Sequence, residues 1–265
     1  MKILTAFHRQ PGIVKVLLGT LLAVVLICIY ATFHYGRINS ADDPRVVEAR
    51  ELLLMYEKGI ASDQYGTALS ILKAMDLIYR NTEGYEQSFE RGVILNNKAS
   101  VHLVKLETEL LEDVDIDRNT MLETLGIAEG YTRQAIGLYE QWLSDMGKLT
   151  RDEIEQRVRP TFAPGDPALK DSNVEDVIQK RVDDIMLAQL ETKRRLSVTY
   201  TNLGVIERYK GNLETAKKCY ETAIELWDRN YTAKDNLNVL LNQPVNKRSM
   251  IDRMFPPERA AELKQ

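Results

Sequence analysis

Apolar residues recur at helical spacing through most of the chain, and short stretches rich in Gly, Asn and Asp interrupt the pattern. The spacing predicts helices over 45–58 and 65–80, followed by two longer helices over 85–111 and 118–146. Val, Ile and Thr do not alternate with polar residues over any long stretch, so the pattern offers little support for strands. We therefore expect an all-α chain.

The second half of the chain begins with a break in the helical pattern. Residues 147–172 contain three prolines and two glycines, which predict a loop with one short helix over 150–157. Apolar positions then recur without a breaker over 173–209, which predicts a single long helix. Residues 231–240 predict a further helix that ends before Pro244.

Residues 197–230 carry the most specific pattern in the chain. Apolar, aromatic and small residues fall where two antiparallel helices of a 34-residue unit would pack together, and Gly211-Asn212 separates the two helices. These positions are Tyr200, Leu203, Gly204, Ala216, Tyr220 and Ala223. The pattern resembles a tetratricopeptide (TPR) repeat, and the resemblance implies an array of antiparallel helix pairs, an αα superhelix, that docks other proteins.

Two earlier units resemble the same repeat less closely. The helices over 45–80 depart from the pattern where Tyr56 replaces a small residue, and the run 59–64 is expected to break the helix. This unit matches the repeat at Leu52, Met55, Tyr65, Ala68 and Leu72. In the next unit, residues 95–99 resemble the core of a first repeat helix, with Lys98 where an apolar residue is usual, and the second-helix pattern follows only at 130–139.

A long apolar segment precedes these units. The run from Val16 to Phe33 has 18 residues without a charge and would cover roughly 27 Å as a helix, close to the thickness of a bilayer. Basic residues precede the segment and Asp42 and Asp43 follow it, which predicts a cytoplasmic N-terminus and an extracytoplasmic remainder. The alternative is a cleaved signal peptide, although residues 29–31 would form a poor cleavage site.

These predictions divide the chain into segments of different character. They are a cytoplasmic N-terminus over 1–15, a transmembrane anchor over 16–35, a linker over 36–44, degenerate TPR-like hairpins over 45–146, a Pro- and Gly-containing loop over 147–172, the long helix with the clear repeat and a capping helix over 173–242, and a C-terminal tail over 243–265.

Composition argues against several classes of function. The net charge is −4 and cations are mixed with carboxylates along each helix, so we expect no nucleic-acid partner. Two cysteines and three histidines offer no zinc site or catalytic triad, and no glycine-rich phosphate loop occurs. The acidic run over 111–117 lacks the Gly and terminal Glu of a calcium loop and is expected to be a solvated turn. We therefore expect neither an enzyme nor a bound cofactor.

The resemblance also implies a site. In TPR domains the inner faces of successive first helices line a groove that holds a peptide or a partner helix. Carried over by position, the groove residues are Asn96, Asn97, Thr201, Asn202, Val205, Arg208, Tyr209, Asp235 and Asn236. Asn side chains can bind an extended backbone of any sequence, but they can equally bind neighbouring helix carbonyls or water.

The function expected from this resemblance is a membrane-anchored TPR scaffold, with residues 16–35 in the lipid bilayer, that docks a protein partner outside the cytoplasm. In a two-membrane bacterium the domain would be periplasmic and would take part in the assembly of envelope proteins. One alternative is a structural protein that forms homo-oligomers through the 173–209 helix. Another is an organellar import receptor with a cytosolic domain, which requires the opposite topology.

Overall fold

The computed structural model describes residues 42–112 and 114–245. Every regular element among these residues is helical, so the all-α prediction is confirmed. The α-helices are α1 (Val47–Ala61), α2 (Tyr65–Asn81), α3 (Phe89–Leu111), α4 (Arg118–Met146), α5 (Arg151–Val158), α6 (Val174–Tyr209), α7 (Leu213–Leu226) and α8 (Tyr231–Leu240). Two 3-10 helices, Arg159–Thr161 and Pro167–Leu169, lie between α5 and α6.

The predicted break after residue 58 is wrong, because α1 continues through Gly59 to Ala61. Gly59 is buried, and a Cβ at this position would lie 3.8 Å from the Cβ of Ala68 on α2. The helix ends instead where Asp63 adopts a positive φ of 54°, and the amide of Gln64 donates to the carbonyl of Gly59 at 2.9 Å. The glycine therefore serves as a contact between α1 and α2, while an aspartate takes the left-handed position after the helix.

Side-chain caps define where the later helices begin. Asp117 accepts hydrogen bonds from the amides of Asn119 and Thr120 at 2.9 and 3.1 Å, so the end of the acidic run starts α4. Thr150 and Glu153 form a reciprocal capping box at the start of α5. Asn173 caps α6 in the same way as Asp117 caps α4.

Consecutive helices pack as hairpins, and the hairpins stack. The most extensive contacts lie within the hairpins α1–α2, α3–α4 and α6–α7. In addition, α2 packs on α3, α4 packs on α6, and α7 packs on α8. One face of the long helix α6 is buried along the length of the helix. Its first half packs Val177 and Val182 against Trp142 and Ile154, and its second half packs Ile206 in the hairpin with α7.

Two of the hairpins close through the same contact between a glycine and a tyrosine ring. A Cβ on Gly204 would lie 2.4 Å from Cε1 of Tyr220, and a Cβ on Gly92 would lie 2.5 Å from Cε1 of Tyr139. Both rings are fully buried. The repeat pattern predicted the first contact, but in the α3–α4 hairpin the close approach falls at Gly92 instead of within 95–99.

The register predicted for the first unit is wrong at Met55, which is 56% exposed. Ala49 and Gly59 are the fully covered positions of α1. Small residues at these positions bring α1 close to its neighbours, so the larger Met55 is left on the outer side of the helix.

The predicted anchor over 16–35, the residues before it and the tail after residue 245 lie outside the described residues. In the part of the chain that the structure describes, no helix combines the length and apolar character needed to cross a membrane.

The Gly–Tyr contacts lead to a direct test of packing. Changing Gly92 or Gly204 to Ala should lower the free energy of unfolding by about 1–3 kcal/mol, because the added methyl group would overlap a buried ring. Urea denaturation followed by circular dichroism measures this difference. Gly137 on α4 is the matched control. Nothing lies within 4 Å of the position where its Cβ would be, so Gly137→Ala should be neutral or stabilising. Equal effects at all three glycines would contradict the proposed crossings.

Candidate docking surface

The predicted groove residues lie on three neighbouring helices. Asn96 and Asn97 are on α3, five of the residues are on α6, and Asp235 and Asn236 are on α8. Helix α6 packs against both α3 and α8. The structure therefore brings the three groups to adjacent helices, although their side chains differ in accessibility.

The two asparagines at the α3–α6 contact bind each other. Asn202 Nδ2 donates to Asn96 Oδ1 and to Ser100 Oγ, both at 3.0 Å. Asn96 is buried and Asn202 is half-buried. Their side chains link the two helices through these bonds.

Thr201 and Val205 are buried as well. The hydroxyl of Thr201 donates to the carbonyl of Ser197 at 3.0 Å and accepts from Asn230 Nδ2 at 2.9 Å. Asn230 also donates to Ser197 Oγ at 2.8 Å, and its own oxygen caps α8 by accepting from the amide of Ala233. Sequence reasoning missed Asn230, although an asparagine directly before a helix is a recognised cap signal.

The remaining predicted residues are only partly buried. Arg208 donates to Asn236 Oδ1 at 3.2 Å, and its guanidinium lies 5.3 Å from the centre of the Tyr209 ring. Asn97 and Asp235 are half-buried on the helices to either side. The accessible part of the predicted groove is therefore Asn97, Arg208, Tyr209, Asp235 and Asn236, beside the bonded Asn202.

A buried ionic cluster between α2 and α3 was not predicted. Asp76 accepts from Arg91 Nε at 3.0 Å and from Lys98 Nζ at 3.1 Å, and Arg80 approaches the same carboxylate at 3.1 Å. Asp76, Arg91 and Lys98 are all less than 9% exposed. Lys98 departs from the repeat pattern because it has a carboxylate partner on the preceding helix, and one sequence position alone does not reveal such a pair.

The cluster changes how Asp76 titrates. Burial by itself disfavours the charged carboxylate, but the hydrogen bonds from Arg91 and Lys98 outweigh it and hold the pKa of Asp76 below its ordinary value. Asp76 is therefore ionised at neutral pH and binds the two cations that α3 presents to α2.

A second ion pair, between a buried guanidinium and a half-buried carboxylate, joins α3 to α6. Arg181 binds Glu90 and stacks over the ring of Tyr85, 4.0 Å from its centre. Burial disfavours the charge on Glu90, but the attraction of Arg181 holds the pKa of this carboxyl below its ordinary value. Because the side chain of Arg181 is only 6% exposed and that of Glu90 is 25% exposed, the pair favours one placement of the first half of α6 against α3.

The described residues contain no cluster of three or more His, Cys, Asp or Glu side chains that could hold a metal ion. Cys219 is buried with a free thiol, and burial raises its pKa to about 11. His102 stacks on Tyr131 with ring centres 6.1 Å apart.

The Asp76 cluster leads to a prediction about pH. At neutral pH, Asp76→Asn should lower the free energy of unfolding by about 3 kcal/mol, because two buried cations lose their carboxylate. Since the pKa of Asp76 is lower in the folded state, its stabilisation is complete above about pH 4 and is lost as the pH falls through the folded-state pKa. The difference in the free energy of unfolding between wild type and variant should therefore shrink in acid, as measured by urea denaturation at several pH values.

Asp115→Asn, at an exposed position, is the control and should show little difference at any pH. A difference for Asp76→Asn that stays constant with pH would contradict the pairing of an ionised Asp76 with the two buried cations.

No protein-family model matches this chain, and comparison with curated proteins and with solved structures finds no match. A function for the chain can therefore be argued only from its sequence pattern and from the helices and contacts described above.

Proposed function

We propose that this chain is a membrane-anchored scaffold of the TPR type that docks a protein partner outside the cytoplasm. The observation that carries the proposal is the stack of helical hairpins, two of which close through a Gly–Tyr contact. Stacked hairpins of this kind bury their core between neighbouring units and leave one face of successive helices open to a partner.

The α6–α7 hairpin supports the TPR interpretation most directly. Five of its six pattern residues are buried: Leu203, Gly204, Ala216, Tyr220 and Ala223. The sixth, Tyr200, is half-buried, and its hydroxyl donates to Glu140 at 3.0 Å on α4 of the preceding hairpin. The pattern therefore accounts for packing within the hairpin and for one contact between hairpins.

The docking surface that we propose consists of the accessible residues on α3, α6 and α8. The Asn96–Asn202 bond joins α3 to α6, and the Arg208–Asn236 bond joins α6 to α8. These bonds fix the spacing of the three helices, so a partner meets a preformed surface and little ordering is needed on binding. Arg208 and Tyr209 are suited to anchor a partner, because Arg and Tyr often dominate the energetics of interfaces.

The membrane anchor is proposed from the uncharged segment over 16–35 and the basic residues before it. Tethering confines the docking surface to the vicinity of the bilayer and raises its effective concentration towards membrane-bound partners. With such an anchor, the chain would hold other proteins at the membrane.

Self-association through α6 is a second candidate, because this helix exposes Leu187 and Leu190, each 46% accessible, on its outer side. A homo-oligomer would cover both side chains. The crosslinking experiment described next distinguishes self-association from the docking of a different protein.

A photoreactive amino acid at position 208 should crosslink a discrete protein partner in intact cells, which gel shift and mass spectrometry would identify. The same group at position 218, exposed on α7, is the control and should not capture that partner. Tyr209→Ala should reduce the yield several-fold, because it removes a neighbouring anchor. Capture of a second copy of the chain alone would favour self-association, and equal capture from both positions would contradict the docking surface.

The anchor and its direction lead to a separate prediction. In spheroplasts, a cysteine introduced at exposed Lys193 should react with a membrane-impermeant maleimide without lysis, because the helical domain is proposed to lie outside the cytoplasm. The parent chain, which contains Cys28 and the buried Cys219, supplies the background. Labelling only after lysis would reverse the topology and favour a receptor with a cytosolic domain.

A further inference from the structure

A groove of about 500 Å³ runs between α2 and α4, and α3 forms its floor. It shares no residue with the surface on α3, α6 and α8 that is proposed above. The groove has a charged side on α2. On the other side, Tyr131 of α4 stacks on His102 of α3, and the two rings form an aromatic wall.

The groove carries an excess of positive charge. Three cations line it, namely Lys73, Arg80 and Lys98, and Asp76 is the sole carboxylate among the described residues that line it. Asp76 already binds Arg80, Lys98 and the adjoining Arg91, so one negative charge faces several positive ones. Lys73 is exposed and Arg80 is half-exposed, so both can reach a further anion.

Leucines accompany these cations along α2. Leu69, Lys73, Leu77 and Arg80 follow one another at spacings of three or four residues, which places them on one side of the helix. Leu77 is 59% exposed, which is unusual for an apolar residue that borders a groove. From Leu69 to Arg80 the stripe covers about 16 Å along the helix axis, enough for about five residues of an extended peptide.

We propose that this groove is a second docking site, which binds a short acidic segment of a partner protein in which carboxylates and leucine-like side chains alternate at every second residue, so that both lie on the face of the extended segment that meets α2. The carboxylates pair with Lys73 and Arg80, and the apolar side chains cover Leu69 and Leu77. The floor keeps its own charge pairs and needs no rearrangement, because Lys98 and Arg91 are already bound to Asp76.

The shape and charge of the groove favour a peptide over other anions. A nucleic-acid site would need a broad basic surface, whereas this groove is only three helical turns long and the chain has a net charge of −4. A lipid headgroup would bind the cations but would leave Leu77 and the aromatic wall uncovered. A peptide that carries acidic and apolar side chains on one face offers carboxylates to the cations and apolar groups to Leu77.

The direct test uses the full chain in detergent and a fluorescent nonapeptide in which Leu and Glu alternate at the odd positions and Ser fills the even ones, with binding followed by anisotropy. The peptide should bind, and its affinity should fall as salt is raised, because the contacts involve exposed charges. The Lys73→Glu/Arg80→Gln variant should bind about tenfold more weakly, since two cation–carboxylate contacts are lost. Lys193→Glu/Lys218→Gln changes the net charge equally at exposed positions on α6 and α7, and should leave binding unchanged.

Two further controls make the outcome decisive. A peptide with Gln in place of Glu should bind at least tenfold more weakly, and mixed micelles of the same detergent with an anionic lipid should not compete with the acidic peptide. Absence of binding, equal binding of the Gln peptide, or equal loss in both double variants would overturn the proposal, as would displacement by the anionic mixed micelles. Urea denaturation of both double variants checks that each remains folded.

Crosslinking from position 208 should be unaffected by Lys73→Glu/Arg80→Gln, so failure of this groove and failure of the α3–α6–α8 surface are distinguishable.

Discussion

The close approach of helices at a glycine facing a tyrosine ring is the constraint on which the rest of the fold depends. At Gly92 and at Gly204 the ring lies where any other residue would place its Cβ, so the helices can approach to a distance that larger side chains would forbid. Each contact sets the distance between the helices of its hairpin. The stacking of one hairpin on the next follows from the faces that these hairpins leave uncovered.

Polar groups then select one way of stacking the hairpins. Asp76 joins α2 to α3, Glu90 and Arg181 join α3 to α6, and the Asn96–Asn202 pair joins α3 to α6 further along. Buried ion pairs add little net stability over apolar contacts, but a wrong register would leave their charges unpaired at a large cost. Apolar packing thus supplies most of the driving force, while these bonds specify which helix faces meet.

The same bonds explain why the two proposed docking surfaces differ in character. Where α3, α6 and α8 meet, the internal amide bonds leave Arg208 and Tyr209 at the surface. Between α2 and α4, the single carboxylate of Asp76 leaves a positive charge around a leucine stripe. Two surfaces of different chemistry suit a scaffold that holds more than one protein.

The sequence by itself determined where the helices lie and identified one hairpin in detail. The bounds of α4, α6 and α8 agree closely with their periodic patterns, because local spacing, caps and prolines control where a helix begins and ends. The tertiary structure alone decided the partner of Lys98, the place of the Gly92 contact and the burial of Asn96. These features depend on residues far apart in the chain, which no local pattern relates: Lys98 is an anomaly in the repeat until folding brings it to Asp76 on another helix.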